Sequence, residues 1–114
     1  MDQKISYDSE EDILYYNKGE VVQDSLDIGN VFVEFSSSGE IVGIEVLDAS
    51  DFISEFTGEE FSSEDLENIL EAKIKIIRSG DFAIVTLQFI VEKDGQRVRE
   101  SVGVNVPSSS VGVA

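Results

Sequence analysis

The chain has 114 residues, with 24 acidic and 8 basic side chains and a formal charge of −16 at neutral pH. That length fits a single domain, residues 1–114, able to bury a hydrophobic core. It contains neither cysteine nor histidine, which excludes a disulfide framework, a thiolate nucleophile, a cysteine-based metal centre and a Ser-His-Asp triad. Ile and Val number 26 against 10 Leu and Ala, and stiff β-branched side chains suit a pleated sheet better than a helix.

The hydrophobic pattern alternates from the start. Lys4 to Tyr7 reads as a first strand, followed by the acidic turn Asp8-Ser9-Glu10-Glu11. Ile13 to Tyr16 is a second, closed by Asn17-Lys18-Gly19, where glycine supplies the positive φ of a tight reversal. Glu20 to Leu26 forms a third and ends near Gly29-Asn30. Val31 to Phe35 and Ile41 to Leu47 flank Ser36-Ser37-Ser38-Gly39-Glu40, a hairpin turn.

The period then changes. Phe52, Ile53 and Phe56 share one face of a short helix, with Asp48-Ala49-Ser50 placing capping residues where strand gives way to helix. A second helix starts at Ser62, whose capping box is completed by Asp65, with Phe61 and Leu66 at the staple positions. Leu66, Ile69 and Leu70 are expected to form its buried stripe, which completes a helical segment over 51–71.

The C-terminal third, residues 73–106, reads as a β-meander. Lys73 to Ile77 leads through Ser79-Gly80-Asp81 into a long hairpin centred on Asp94-Gly95, a strong two-residue turn signal. That turn sets the register by arithmetic: Val91 faces Val98, Leu87 faces Val102, Val85 faces Val104 and Ala83 faces Val106. On the other face Glu92 meets Arg97. Pro107 stops the last strand, and residues 108–114 are expected to fray. The fold expected is α+β and mostly β: about eight antiparallel strands in a twisted sheet or sandwich, with one or two short helices between strands five and six.

Charge is unevenly spread along this frame. Residues 1–72 hold 20 acids and two lysines, whereas residues 73–114 hold four acids and six bases. The acidic part repels nucleic acid and anionic membranes, so neither is expected as a partner. No basic and apolar leader opens Met1-Asp2-Gln3-Lys4, and no apolar run approaches the ~20 residues of a membrane span, so a cytoplasmic location is expected.

Residues 5–50 carry a family resemblance. Ile5-Ser6-Tyr7-Asp8 and Glu11-Asp12-Ile13-Leu14-Tyr15-Tyr16 open it, and Val31 through Phe35, then Gly39-Glu40-Ile41-Val42-Gly43-Ile44-Glu45-Val46-Leu47-Asp48-Ala49-Ser50, closes it. This stretch resembles the uncharacterised prokaryotic family known as domain of unknown function 2283, with residues beyond it forming a C-terminal extension. The resemblance brings no established activity and no catalytic residues, and it implies at most an antitoxin role. Physical readings stand beside it. Gly43 inside a strand marks a bulge or a close backbone approach, and Tyr7, Tyr15 and Tyr16 read as core-edge residues with hydrated hydroxyls.

Three functional classes follow. A non-enzymatic acidic interaction module covering a basic protein partner comes first. A divalent-cation site is the alternative, and its weak candidates are Asp8, Glu10, Glu11 and Asp12, because calcium takes carboxylate oxygens. These four lack the ligand order of an EF-hand. An enzyme comes last, since no acid pair is singled out for catalysis, and no cofactor is expected. A homodimer through residues 73–106 is also expected. The strand from Phe82 to Val91 is apolar on one face and carries Phe82, Ile84 and Ile90 on the other, more than a one-sided sheet normally shows.

Overall fold

The computed structural model describes residues 4–107. Along these residues run β1 (Lys4–Asp8), β2 (Ile13–Asn17), β3 (Asp24–Ile28), β4 (Val31–Phe35), β5 (Ile41–Val46), α1 (Ala49–Thr57), α2 (Ser63–Leu66), β6 (Ile69–Ser79), β7 (Phe82–Lys93) and β8 (Gln96–Pro107). The expected α+β, mostly-β architecture is the one observed, with eight antiparallel strands among the described residues.

The strands make two sheets. The first has the order β1-β2-β5-β4-β3 and the second the order β6-β7-β8. β5 joins the two N-terminal hairpins, with Val46 lying beside both Leu14 and Val31. The second sheet is the expected meander. Val91 lies opposite Val98, Leu87 opposite Val102, Val85 opposite Val104 and Ala83 opposite Val106. Asp94 and Gly95 both adopt positive φ, at 53° and 76°, the conformation of a type I′ turn.

Side chains of both sheets enter one core. Leu14, Tyr16, Val33 and Val46 from the first sheet and Val85, Leu87, Phe89 and Val91 from the second belong to the same buried cluster. Ile53, Phe61 and Leu66 of the helical segment join it. Each fully buried aliphatic or aromatic side chain contributes roughly 1.5–3 kcal/mol. The five-stranded sheet and the helices therefore cover the Ala83–Val91 face of β7. On the opposite face Phe82 and Ile84 are exposed and Ile90 is partly buried.

The structure corrects several local expectations. The third strand starts at Asp24, not Glu20, and runs to Ile28. Val21 and Val22 are exposed, in a stretch tied at its start by the Glu20 N–H to Asn17 Oδ1 and at its end by the Gln23 N–H to Phe35 O. The stripe Leu66, Ile69, Leu70 is not helical beyond Leu66. β6 begins at Ile69 and bulges before Glu71, which throws Leu70 outward. Apolar residues at i, i+3 and i+4 across a helix-to-strand junction imitate a helix face. The α2 capping box is present as expected, with Ser62 Oγ accepting from Asp65 N at 3.2 Å and Asp65 Oδ2 from Ser62 N at 3.0 Å. The expected tail at 108–114 lies outside the described residues. Among those described, no helix is long and apolar enough to cross a membrane.

Candidate functional site

Two polar constellations stand out on the five-stranded sheet. The first lies where the β1–β2 turn meets the start of α1. Asp12 sits at positive φ, 56°, so its carboxylate turns toward the helix. It accepts the Tyr7 hydroxyl at 2.6 Å, the Ser50 N–H at 3.0 Å and the Ser50 hydroxyl at 2.7 Å. Its backbone carbonyl accepts the Ala49 N–H at 2.9 Å. Burial pushes the Asp12 carboxyl up, but hydrogen bonds from Tyr7 and Ser50 outweigh it and hold the group below its ordinary value. The remote Asp12 thus caps α1. Asp48, one of the capping residues expected from sequence, is left-handed at φ 49° and makes no side-chain cap. With its one proton given to Asp12, the Tyr7 hydroxyl accepts the Ser63 hydroxyl at 2.9 Å, tying β1 to α2.

This geometry accounts for the acidic turn. Asp8 Oδ1 accepts the N–H groups of Glu10 and Glu11 at 3.0 and 3.2 Å, a side-chain turn that fixes the loop. Of the four candidate cation ligands, Asp8 and Asp12 thus face different partners. Glu10 and Glu11 are exposed. Among the described residues no three acidic, histidine or cysteine side chains converge as a metal site.

The second constellation occupies the outer face of the same sheet. Tyr15 lies beside Glu45 and Glu34 beside Gly43. The Tyr15 hydroxyl donates to Glu34 Oε1 at 2.8 Å, and Asn17 Nδ2 donates to the Tyr15 hydroxyl at 3.3 Å. A Cβ on Gly43 would lie 2.3 Å from Glu34 Oε1 and 3.1 Å from the Tyr16 carbonyl. The glycine therefore vacates the space that the Glu34 carboxylate fills, and β5 bulges beside it, with Glu34 opposite Gly43 but Phe35 opposite Ile41. Both sequence readings of Gly43 hold. Burial pushes the Glu34 carboxyl above its ordinary value and the nearby Glu45 charge adds to this, against the Tyr15 hydrogen bond. Burial and the bond to Glu34 raise the Tyr15 phenol, so Tyr15 stays a donor at neutral pH.

The hydrated-hydroxyl reading of the tyrosines is corrected for two of them. Tyr7 and Tyr15 take carboxylate partners, and the Tyr16 ring is core, 2% exposed. The sequence signalled Gly43, but not that Glu34 was the group approaching it. The strand pairing that brings them together is the missing information.

Around Tyr15 the outer face holds Ile13 and Phe32, both partly exposed, with Asp8 and Asp27 toward its margins. This is a two-sheet β-sandwich whose outer face sets Tyr15 and Phe32 on either side of Glu45. Residues 4–50, which carry both constellations apart from Ser63, match the family model described as a protein of unknown function, DUF2283. An uncharacterized protein of Methanocaldococcus jannaschii is 42% identical over 48 residues, 41% of each chain, so this chain spans about two fifths of that relative's length. A Methanosarcina mazei protein named "Putative hypoxanthine phosphoribosyltransferase" is 26% identical over 117 residues, 96% of this chain and 90% of its own. That similarity extends through the C-terminal meander. No solved structure matches the chain.

Proposed function

We propose that this protein is a non-enzymatic acidic interaction module, antitoxin-like in action, that covers a basic protein partner with the outer face of its five-stranded sheet. The observation that carries the reading is the arrangement on that face. At the centre of that face one row runs Tyr15, Glu45, Phe32 and Asp27, with Ile13 beside Asp8 and Glu34 beside Gly43, so partly exposed apolar side chains alternate with carboxylates. Aromatic side chains are enriched at protein interfaces, and carboxylates of one sign set among them steer a basic partner and raise its association rate. The Tyr15–Glu34 bond holds the centre in one geometry before binding, which lowers the ordering cost.

The cation reading has less support, because the carboxylates of Asp8 and Asp12 are already engaged within the chain and calcium takes six to eight oxygens. The transferase name belongs to the Methanosarcina protein, and the geometry described above adds nothing toward carrying it over.

A lysine- and arginine-rich amphipathic peptide, titrated into isotopically labelled protein, tests the proposal. Amide shifts should concentrate on β2, β4 and β5, weaken with salt, and shrink in Glu34→Gln/Glu45→Gln protein. Shifts spread evenly over all acidic loops would mean charge attraction without a site.

A further inference from the structure

On the other side of the molecule, the outer face of β6-β7-β8 has a composition at odds with the rest of the chain. Its side chains fall into rows across the three strands. Ile77 and Ile84 share one row with Asn105, and Phe82 lies in the next with Ser79 and Pro107. In the free chain Ile77 is 46% exposed, Phe82 56% and Ile84 36%. Beyond these rows the face carries Lys75 and then Lys73, next the row of Glu71, Ile90 and Arg99, and last the pair Glu92 and Arg97. In a chain of charge −16, this face alone combines exposed aliphatic side chains with an excess of bases. We propose that it is a homodimer interface whose twofold axis runs parallel to β7.

The register selects that axis. A twofold along β7 lays β6 of one copy over β8 of the other at the same level. Glu71 then meets Arg99 of the second copy, and by symmetry Arg99 meets Glu71. Lys75 falls over Gly103, which has no side chain to obstruct its stem, and Lys73 over Ser101. Along the axis itself, Ile84, Ile90 and Phe82 each meet their own copies. A twofold across the strands, centred on Thr86, would instead place Lys75 on Lys75 and is disfavoured by charge. Aligned sheets pack within about 30° of each other, so these levels stay in reach.

Charge explains why this face and not another serves. The remaining surface carries the acidic excess, and two copies can approach without strong repulsion only where bases balance it. Size is adequate for a modest interface. β7 spans 12 residues, and three strands of that length cover on the order of 40 × 14 Å. That is close to the ~600 Å² per partner at the low end of specific interfaces. The dimer is independent of the acidic face on the first sheet and leaves it free.

Sedimentation velocity at physiological salt over a range of concentrations tests the inference. Wild type should move from monomer to dimer in the micromolar range. Ile84→Asp should be monomeric throughout, its fold checked by circular dichroism. Glu71→Arg and Arg99→Glu should each weaken the dimer roughly tenfold, since each acts twice across the axis. The double exchange should recover most of the loss. A wild-type monomer at all concentrations, or a dimer indifferent to all of these substitutions, overturns the interface. Single exchanges that weaken the dimer without rescue by the double overturn the proposed axis.

Discussion

Gly43 shows how one residue's missing atoms position another's charge. Glu34 is the side chain nearest that space, so the glycine and the carboxylate form a packed pair, with Tyr15 as the donor that orients it. Gly43→Ala forces Glu34 aside and crowds the Tyr16 carbonyl, which should cost about 1–3 kcal/mol. In a Glu34→Ala background the same substitution should cost clearly less, because its main clash is gone. Denaturant unfolding of the four proteins in that cycle measures the coupling. Strict additivity would show that Glu34 plays no part in the need for glycine. Asp12 makes the complementary point, since a turn residue that reads from sequence as a cation candidate is occupied in capping a helix 38 positions away.

At the level of elements, the C-terminal hairpin is specified by its turn. A Cβ at Gly95 meets nothing within 4 Å, yet the backbone there sits at φ +76°, so the cost of a side chain is conformational and not steric. Gly95→Val should destabilise by about 1–2 kcal/mol, because β-branched residues resist positive φ. Gly95→Asn should cost much less, since asparagine tolerates that region. Equal melting temperatures for the two variants would sink the explanation. This hairpin was legible in sequence because Asp94-Gly95 and two alternating strands all agree on one register. The third strand was less so, since Val21 and Val22 supply apolar character without burial and nothing local says where pairing begins. The β6 start was masked by helical spacing in Leu66, Ile69 and Leu70. The site was legible only in part. Tyr7, Asp12, Gly43 and Ser50 lay within the motif runs, but the meeting of Gly43 with Glu34 and Tyr15 depends on β5 entering between the two hairpins, a long-range pairing that no local signal encodes.

For the whole molecule, charge and burial oppose each other, and the opposition has a measurable sign. Burial raises the Glu34 carboxyl, with Glu45 adding to it. Burial likewise raises Glu100, reinforced by its hydrogen bond with Glu59 and that group's charge, against Lys93. Both groups bind a proton more tightly when folded. The stability they contribute is complete below their unfolded value near 4.5 and is lost as pH rises through the folded values. Asp12 runs the other way. Its contribution is present above the unfolded value of 3.8 and is lost as pH falls through the depressed folded value. With a charge of −16, general repulsion among carboxylates acts in the same direction as Glu34 and Glu100. Melting temperature should therefore rise as pH is lowered from about 7, peak close to the ordinary carboxylate range, and fall once Asp12 and its ties to Tyr7 and Ser50 are protonated. Moderate salt at neutral pH should raise it as well, by screening. Glu34→Gln should flatten the rise, because that carboxyl no longer titrates, whereas Asp12→Asn should remove the fall on the acid side that belongs to this group. Calorimetry across that range, at several protein concentrations to separate folding from any association, gives the curve. A melting temperature that declines steadily from neutral pH would mean that the carboxylates are stabilised by pairing in the fold, and not held there against their own repulsion.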